Sequence, residues 1–555
     1  MREPHVTGSP FDRRTFLRYG AYTTALAAAA PTVASIAATP HAAAQTPFEW
    51  EEATIAEIQA AMETGAISAL ELTRDYLERI AAIDHSGPQL NSIIETNPDA
   101  EAIAAALDQE RAEGHVRGPL HGIPIVLKDN IATDDGMLTT AGSLALVGSK
   151  VPRDAGVAAK LREAGAILLA KANMSEWAGF RGFPQIAGWS GRAGIGINPY
   201  ALGYSCGVSS SGSAAAVSAN LTVGGIGTET YGSIVMSSSV CGVVGIKPTL
   251  GLTSRSGVVP IATSRDVTGP IARTVADAAT ILGGMVGVDP LDPFTGPSAK
   301  HLYEDYRPFL DPDGLRGARL GLWSDDILWK SSHAVNRLVS RAVERLRAMG
   351  ATVVEDLEIQ HAADAIGYHV DVMFTEFRPG IAAYLAELAN TDIRSLADVV
   401  GFNDEHPQEE LRWVNQGILI GALEATQTMT DPLYLEALQM SRRLARRGID
   451  AVMREHRLDA LIAPTIREAW AIDLLHADPG RIGQGSAGPH NAAGYPCITV
   501  PAGYIGALPV GLSFVAEAWS EPKLLRLAYA FEQGRPVRRV PQMLEDYGRR
   551  DFVER

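Results

Sequence analysis

The sequence predicts an α/β fold in a single large domain, and three observations carry that expectation. With 46% hydrophobic and 20% charged residues over 555 positions, the chain can bury a large core, which excludes disordered and fibrous classes. Apolar stripes at helical spacing alternate with short continuous apolar runs, the pattern of helices packed on a largely parallel or mixed sheet. No short-period repeat or low-complexity linker divides the chain into small domains.

The first 44 residues stand apart from this pattern. Arg13-Arg14-Thr15-Phe16-Leu17-Arg18 precedes a Gly/Ala/Thr-rich, mildly apolar stretch from Gly20 to Ala38, and Ala42-Ala43-Ala44 follows before Gln45. Basic, apolar and small-residue zones in that order predict an export leader over residues 1–44, and the paired arginines resemble a twin-arginine signal. The expected destination is periplasmic or extracellular. Threonines and Pro31 interrupt the apolar run, so no stable membrane anchor is expected.

The remaining residues, 45–555, read as one domain. Thr54-x-x-Glu57 and Ser68-x-x-Glu71 have the form of capping boxes, and Ile55, Ile58 and Met62 recur at helical spacing, which predicts two helices at its start. From Asp154 to Lys171, an expected N-cap, a Val157/Leu161 stripe, Gly165 as stop and the run from Ala166 to Ala170 predict helix, turn and buried strand. The same order recurs with Leu320 to Trp323, then Val335, Leu338, Val339, Ala342, Leu346 and Met349, then Gly350 and Ala351 to Val354. Residues 300–450 are helix-rich and carry a polar patch from Asn403 to Glu410. Leu458 to Pro464 and Pro496 to Pro501 return to strand-like runs. The core is therefore expected at about 119–290 and 456–540, with a helical region at about 300–450 inserted or peripheral to it.

Charge and cysteine content narrow the function. A net charge of −16 disfavours a partner that presents a phosphate backbone, so no nucleic acid is expected. Cys206, Cys241 and Cys497 are too few and too scattered for a disulfide framework or a metal site.

Chemistry concentrates in two glycine- and hydroxyl-rich segments, Cys206 to Ser213 and Gly224 to Ser233. Glycines admit close approach to a ligand, and consecutive N–H groups in a tight turn form an anion-binding nest. Apolar flanks at Ala214 to Val217 and Cys241 to Ile246 predict that the segment runs through the interior, where its hydroxyls must find partners. No G-x-S-x-G elbow or H-E-x-x-H motif offers a histidine or zinc activator. Lysine is the remaining candidate base. Lys128 ends the apolar run from Ile123 to Leu127, where burial would lower its pKa, but Lys171 ends the run from Ile167 to Ala170 in the same way, and Asp129 could keep Lys128 charged if the side chains met. Residue-level reading leaves both lysines open. Ser520-Glu521-Pro522-Lys523 matches an S-x-x-K pattern but lacks its companion motifs and is taken as chance.

Taken together, the glycine-serine block, the Thr228 to Ile234 turn, Cys241 to Pro248 and Lys128 resemble the amidase signature family. Matching pieces run in order along the chain: Gly122-Ile123-Pro124, Asn173 to Glu176, Asp266 with Gly269 to Asp277, Ala463-Pro464-Thr465, Gly494-Tyr495-Pro496, Val500 to Gly503 and Leu508 to Gly511. The resemblance implies an amidase signature fold, a mixed twisted sheet covered by helices, and a Ser-Ser-Lys triad that needs neither metal nor cofactor. By position, Ser233 is the implied nucleophile, Ser209 the bridging serine 24 residues earlier and Lys128 the base, while Lys171 drops out. Backbone N–H groups of Thr230, Tyr231, Gly232 and Ser233 are the implied oxyanion donors, and Ser210 is expected to hydrogen-bond within the triad.

Three departures from the family pattern stand out. Val208 replaces the commoner glycine before the bridging serine, where the resemblance implies a cis peptide that costs about 3–4 kcal/mol between non-proline residues. Tyr231 replaces the first glycine of Gly-Gly-Ser and is expected to narrow the pocket. Val235, Met236 and Ser237 replace residues that are commonly basic or proline.

Within the family, Glu376-Phe377-Arg378, Arg394 to Asp398 and Ala518 to Lys523 are similar to bacterial peptide amidases, which release ammonia from C-terminal carboxamides. The expected partner is accordingly a small-molecule or peptide amide. The alternatives are a broad-specificity exported hydrolase of aryl amides or carbamates and, from another class, a catalytically silent binding protein on the same scaffold. The glutaminase-type component of tRNA amidation shares the core, but the leader and the acidity argue against it.

Overall fold

Capping and apolar periodicity set the first elements. In the computed structural model, which describes residues 48–324, 333–478, 485–545 and 547, both capping boxes form. They start α1 (Ile55–Thr64) and α2 (Ala69–Arg79), and Ile55, Ile58 and Met62 are buried as expected. The region read as a leader, 1–44, lies outside the described residues.

The apolar runs become the strands of one sheet. These are β1 (Ile93–Thr96), β2 (Pro124–Lys128), β3 (Ile167–Ala172), β6 (Gly224–Glu229), β7 (Val244–Lys247) and β8 (Val267–Ala272), followed by β9 (Arg319–Trp323), β10 (Thr352–Leu357), β11 (Ala460–Pro464), β12 (Cys497–Ile505) and β13 (Leu508–Val515). A small hairpin, β4 (Trp189–Ser190) and β5 (Gly194–Ile195), stands outside it. The eleven strands follow the order β1-β3-β2-β6-β8-β7-β12-β13-β11-β9-β10. Parallel pairs join β3 to β2 to β6 and β11 to β9 to β10, while the central pairs from β6 to β12 are antiparallel, so the sheet is mixed. Every residue of β2, β3, β6, β7, β8, β11 and β13 is buried, which is why these strands read as continuous apolar or glycine-rich runs rather than alternating ones. The described residues from Glu52 onward belong to one compact unit.

Two local readings are refined. The helix after Asp154 is α3 (Gly156–Glu163), with Ala155 at its N-cap. The Asp154 carboxylate is committed elsewhere, to the N–H of Asp134 at 2.7 Å and to Arg162 at 2.8 Å. The polar patch Asn403 to Glu410 is only partly a solvated face, because Asn403 and Glu410 are fully buried. Glu410 shares Arg181 with Glu176, at 2.9 and 2.8 Å, and so ties the helical region to the core through an arginine that is 2% exposed. Around this polar tie, Met174, Trp177 and Phe180 pack against Phe377, Ile381, Leu396, Val399 and Leu419. The helices of that region include α4 (Ala362–Glu387) and α5 (Pro432–His456).

Candidate active site

The site is built at the carboxyl ends of two parallel strands. β2 and β6 pair in register from Ile125 opposite Gly224 to Leu127 opposite Ile226, so Lys128 leaves the sheet beside Thr228. The short helices Ser211–Ser218 and Val235–Val240 deliver the two serines from either side.

Lys128 Nζ lies 2.7 Å from Ser209 Oγ, and Ser209 Oγ lies 2.6 Å from Ser233 Oγ. Lys128 also lies 2.8 Å from Thr228 Oγ1 and 3.2 Å from Ser210 Oγ. Thr228 Oγ1 and Ser210 Oγ can accept the two N–H bonds of a neutral amine, which leaves its lone pair for the Ser209 hydroxyl, and the Thr228 carbonyl lies 3.3 Å away. Burial pushes the Lys128 amine down to about 7, against the opposing influence of the Asp266 and Glu229 charges. Asn130 Nδ2 reaches Thr228 Oγ1 at 3.1 Å and braces this acceptor. Exposure grades along the row, from 0% at Lys128 through 2% at Ser209 to 8% at Ser233, so the outermost hydroxyl is the one open to a substrate.

Lys171 goes elsewhere. The register of β2 with β3 sets it opposite Leu127, so it points to the other face of the sheet from Lys128. Its Nζ donates to the Ile131 carbonyl at 2.5 Å and to Thr139 Oγ1 at 2.9 Å. Asp129 does not meet Lys128 either. It accepts from Thr140 and from the N–H of Gly142 at 2.9 Å, and it lies 3.6 Å from Arg192. Lys523, of the S-x-x-K match, is well exposed and pairs with Glu517 at 3.5 Å.

The turn from Thr230 to Ser233 projects its donors away from protein acceptors. The N–H groups of Thr230, Tyr231, Gly232 and Ser233 donate to no described protein group, whereas those of Ile234 and Val235 donate to Glu229 at 2.7 and 3.0 Å. Thr230 is fixed by its side chain, whose hydroxyl donates to Asp266. Gly232 has φ +83°, and a Cβ there would lie 2.6 Å from Met236 Sδ and 2.9 Å from Ala487 Cβ, so only glycine fits. Four N–H groups without a protein acceptor, beside a hydroxyl, can hold a developing oxyanion.

The departures from the family pattern resolve physically. The Val208–Ser209 peptide is trans, which corrects the cis bond that the resemblance implied; among the described residues the cis peptide is Phe183–Pro184. The reversal into Ser209 is made one residue earlier, at Gly207, whose φ is +112° and whose missing Cβ would lie 2.6 Å from Ser237 Cα. Val208 therefore needs no unusual backbone. Tyr231 turns its ring toward His369 of α4, with centroids 5.7 Å apart, and its hydroxyl toward Gly488, so it fills space beside the turn. Burial lowers His369 well below the usual imidazole range, so its ring is neutral.

Sequence reasoning assigns no part to four residues of the site: Asn130, Thr228, Glu229 and Asp266. Thr228, Glu229 and Asp266 fall within quoted motifs, but a buried polar side chain carries no periodic signal of its own.

Comparisons with known proteins identify the family. The model of the Amidase family matches residues 71–525. A probable amidase of Arabidopsis thaliana is 41% identical over 506 residues, covering 90% of this chain and 93% of that protein. A putative amidase of Schizosaccharomyces pombe is 37% identical over 524 residues, covering 89% of this chain and 87% of its own. The structure of native peptide amidase from Stenotrophomonas maltophilia superposes with a TM-score of 0.85 at 45% identity, covering 90% of this chain and all of that one. With the fold, the ordered motifs and these matches together, the chain belongs to the amidase signature family and is an amide-hydrolysing enzyme with a peptide amidase-like structure.

Proposed function

We propose that this amidase releases ammonia from C-terminal carboxamides of peptides, or from closely related amides, through a Ser-Ser-Lys triad and an acyl-enzyme. The observation that carries the mechanism is the continuous row Lys128, Ser209, Ser233 at 2.7 and 2.6 Å, with the lysine buried and in no ion pair among the described residues. Support for the substrate class is the 45% identity to a peptide amidase over nearly the whole chain.

In this mechanism neutral Lys128 takes the Ser209 proton as Ser209 takes that of Ser233, and Ser233 Oγ bonds to the amide carbon. The carbonyl π pair moves to oxygen, which the N–H groups of Tyr231, Gly232 and Ser233 receive. Collapse of the tetrahedral adduct breaks the C–N bond, and the proton held on Lys128 returns through Ser209 to the leaving nitrogen. Water then repeats the sequence on the ester and frees Ser233. Ser210 and Thr228 keep the lysine lone pair turned toward Ser209.

A substrate panel on the purified enzyme tests the reading. Ammonia release from an amidated dipeptide should exceed amine release from an anilide and alcohol release from a carbamate, and the reverse ranking would reject the peptide-amide assignment. Ser233→Ala should abolish turnover of all three; full turnover would remove the triad. We also propose export of the chain through residues 1–44, on the order of their basic, apolar and small-residue zones. Arg13→Lys with Arg14→Lys should leave precursor in the cytoplasm, and unchanged export would refute the twin-arginine reading.

A further inference from the structure

The turn that carries Ser233 is tied at both ends to carboxylates that lie off the row of proton-passing side chains. Glu229 closes β6. Its carboxylate accepts the N–H groups of Ile234 and Val235 and the Asn491 amide at 2.9 Å. Asp266 immediately precedes β8. One of its oxygens accepts the Thr230 hydroxyl, and the other accepts the N–H groups of Ile261 and Ala262 at 2.9 and 3.0 Å. Because Glu229 pairs with Val267 across the β6–β8 ladder, the two acids sit on neighbouring strand ends with the turn between them.

Both are buried, and among the described residues no ion pair joins either of them to Lys128. A buried carboxylate that accepts several N–H bonds imposes a geometry, because each bond fixes the direction of a main-chain unit. Here the consequence is selective. Glu229 satisfies the N–H groups at the start of the Val235–Val240 helix and leaves those of Tyr231, Gly232 and Ser233 facing outward. The same two charges favour the protonated form of Lys128 and so oppose its burial.

We propose that Glu229 and Asp266 are a pair of positioning residues: they clamp the nucleophile turn from both sides and, without touching Lys128, set the pH at which it becomes a base. This rests on the assignment of Lys128 as base. The charged surroundings are defined. Glu229 faces His490 at 3.8 Å and the charge of Lys247, Asp266 faces the charge of Arg255, and Lys128 faces the two carboxylates. His490 is held neutral, chiefly by burial, so it does not cancel Glu229.

The two roles separate by mutation. Glu229→Gln and Asp266→Asn remove a charge, whereas Thr230→Val cuts a tether and leaves the Glu229 charge in place; burial raises the Asp266 carboxyl to about 6 and the Thr230 hydroxyl opposes that rise, so this variant also weakens the Asp266 charge. The measurement is kcat and KM against pH on an amidated dipeptide, with folding of each variant followed by its thermal melt. The charge-removing variants should move the acid limb of kcat/KM down by about half a pH unit or more, because less negative charge remains to hold the proton on Lys128. Thr230→Val should lower kcat about tenfold with little change in KM, as a misplaced turn costs transition-state contacts. Glu229→Asp, with the charge retained on a shorter arm, should lower kcat in the same way and leave the limb in place. An unmoved limb in the charge-removing variants, or full kcat in Thr230→Val, would overturn the proposal. If Glu229→Gln does not fold, Asp266→Asn and Thr230→Val decide it. Failure of the underlying base assignment looks different: the acid limb would then persist in Lys128→Met.

Discussion

Lys128 and Lys171 end adjacent parallel strands, follow similar apolar runs and are both fully buried, yet one joins a row of hydroxyls and the other a structural plug. Burial lowers both amines, Lys128 to about 7 and Lys171 to about 8, so desolvation alone does not make a base. The difference lies in the partners. Lys128 meets two acceptors and a hydroxyl that can give up a proton, while Lys171 is taken up by the Ile131 carbonyl and Thr139. A lone pair is useful only where a proton donor in contact with substrate stands in front of it.

The sharpest test of this contrast is to remove each amine in turn. Lys128→Met should lower kcat by about a thousandfold or more if, as proposed, Lys128 is the general base of a unit that works together. Lys171→Met should retain most of kcat but lose about 1–3 kcal/mol of stability, because the Ile131 carbonyl and Thr139 hydroxyl are left without that donor. Steady-state kinetics and denaturant melts on the two variants check both halves, and loss of catalysis in Lys171→Met would collapse the distinction.

A second contrast is in pH. The kcat/KM of the wild type should rise with pH through an acid limb near 7, where Lys128 loses its proton. Lys171 should write its signature on stability instead. Its folded value near 8 lies below its ordinary 10.5, so between those values the unfolded chain holds a proton that the folded chain lacks. Its contribution therefore grows as pH rises through that window. The melting-temperature gap between wild type and Lys171→Met should widen from pH 7.5 to about 9.5; a constant or narrowing gap would contradict the assignment.

The mildest perturbation is Thr228→Val, which leaves every member of the proposed triad in place but removes the 2.8 Å acceptor beside Lys128. About a tenfold loss in kcat is expected, with KM nearly unchanged. No loss would mean that Ser210 alone suffices to hold the amine.

Much of the architecture was legible because burial leaves a pattern in sequence. The two capping boxes, the Val157/Leu161 stripe and the strand from Ile167 appear where their spacing predicted, as does the strand, helix and strand series from Leu320 to Val354. Glu410 was not legible: in sequence it ends a polar patch, and only the approach of Arg181, 229 residues away, makes it a buried partner. The backbone before Ser209 was likewise misread. The resemblance located the strain at Val208, whereas the structure makes the turn at Gly207 with a trans bond following.

The sequence by itself determined the inventory and its order: an α/β chain with an interior stretch rich in glycine and hydroxyls, two lysines at strand ends and the ordered motifs of an amidase. Local composition and periodicity carry that information, since each depends on residues within a turn or a strand of one another. Only the tertiary structure decided which lysine meets the serines, which N–H groups of the turn stay free and which acids clamp it. Those outcomes depend on strand register and on contacts across 81 residues from Lys128 to Ser209 and 262 from Glu229 to Asn491, distances over which sequence spacing carries no direction.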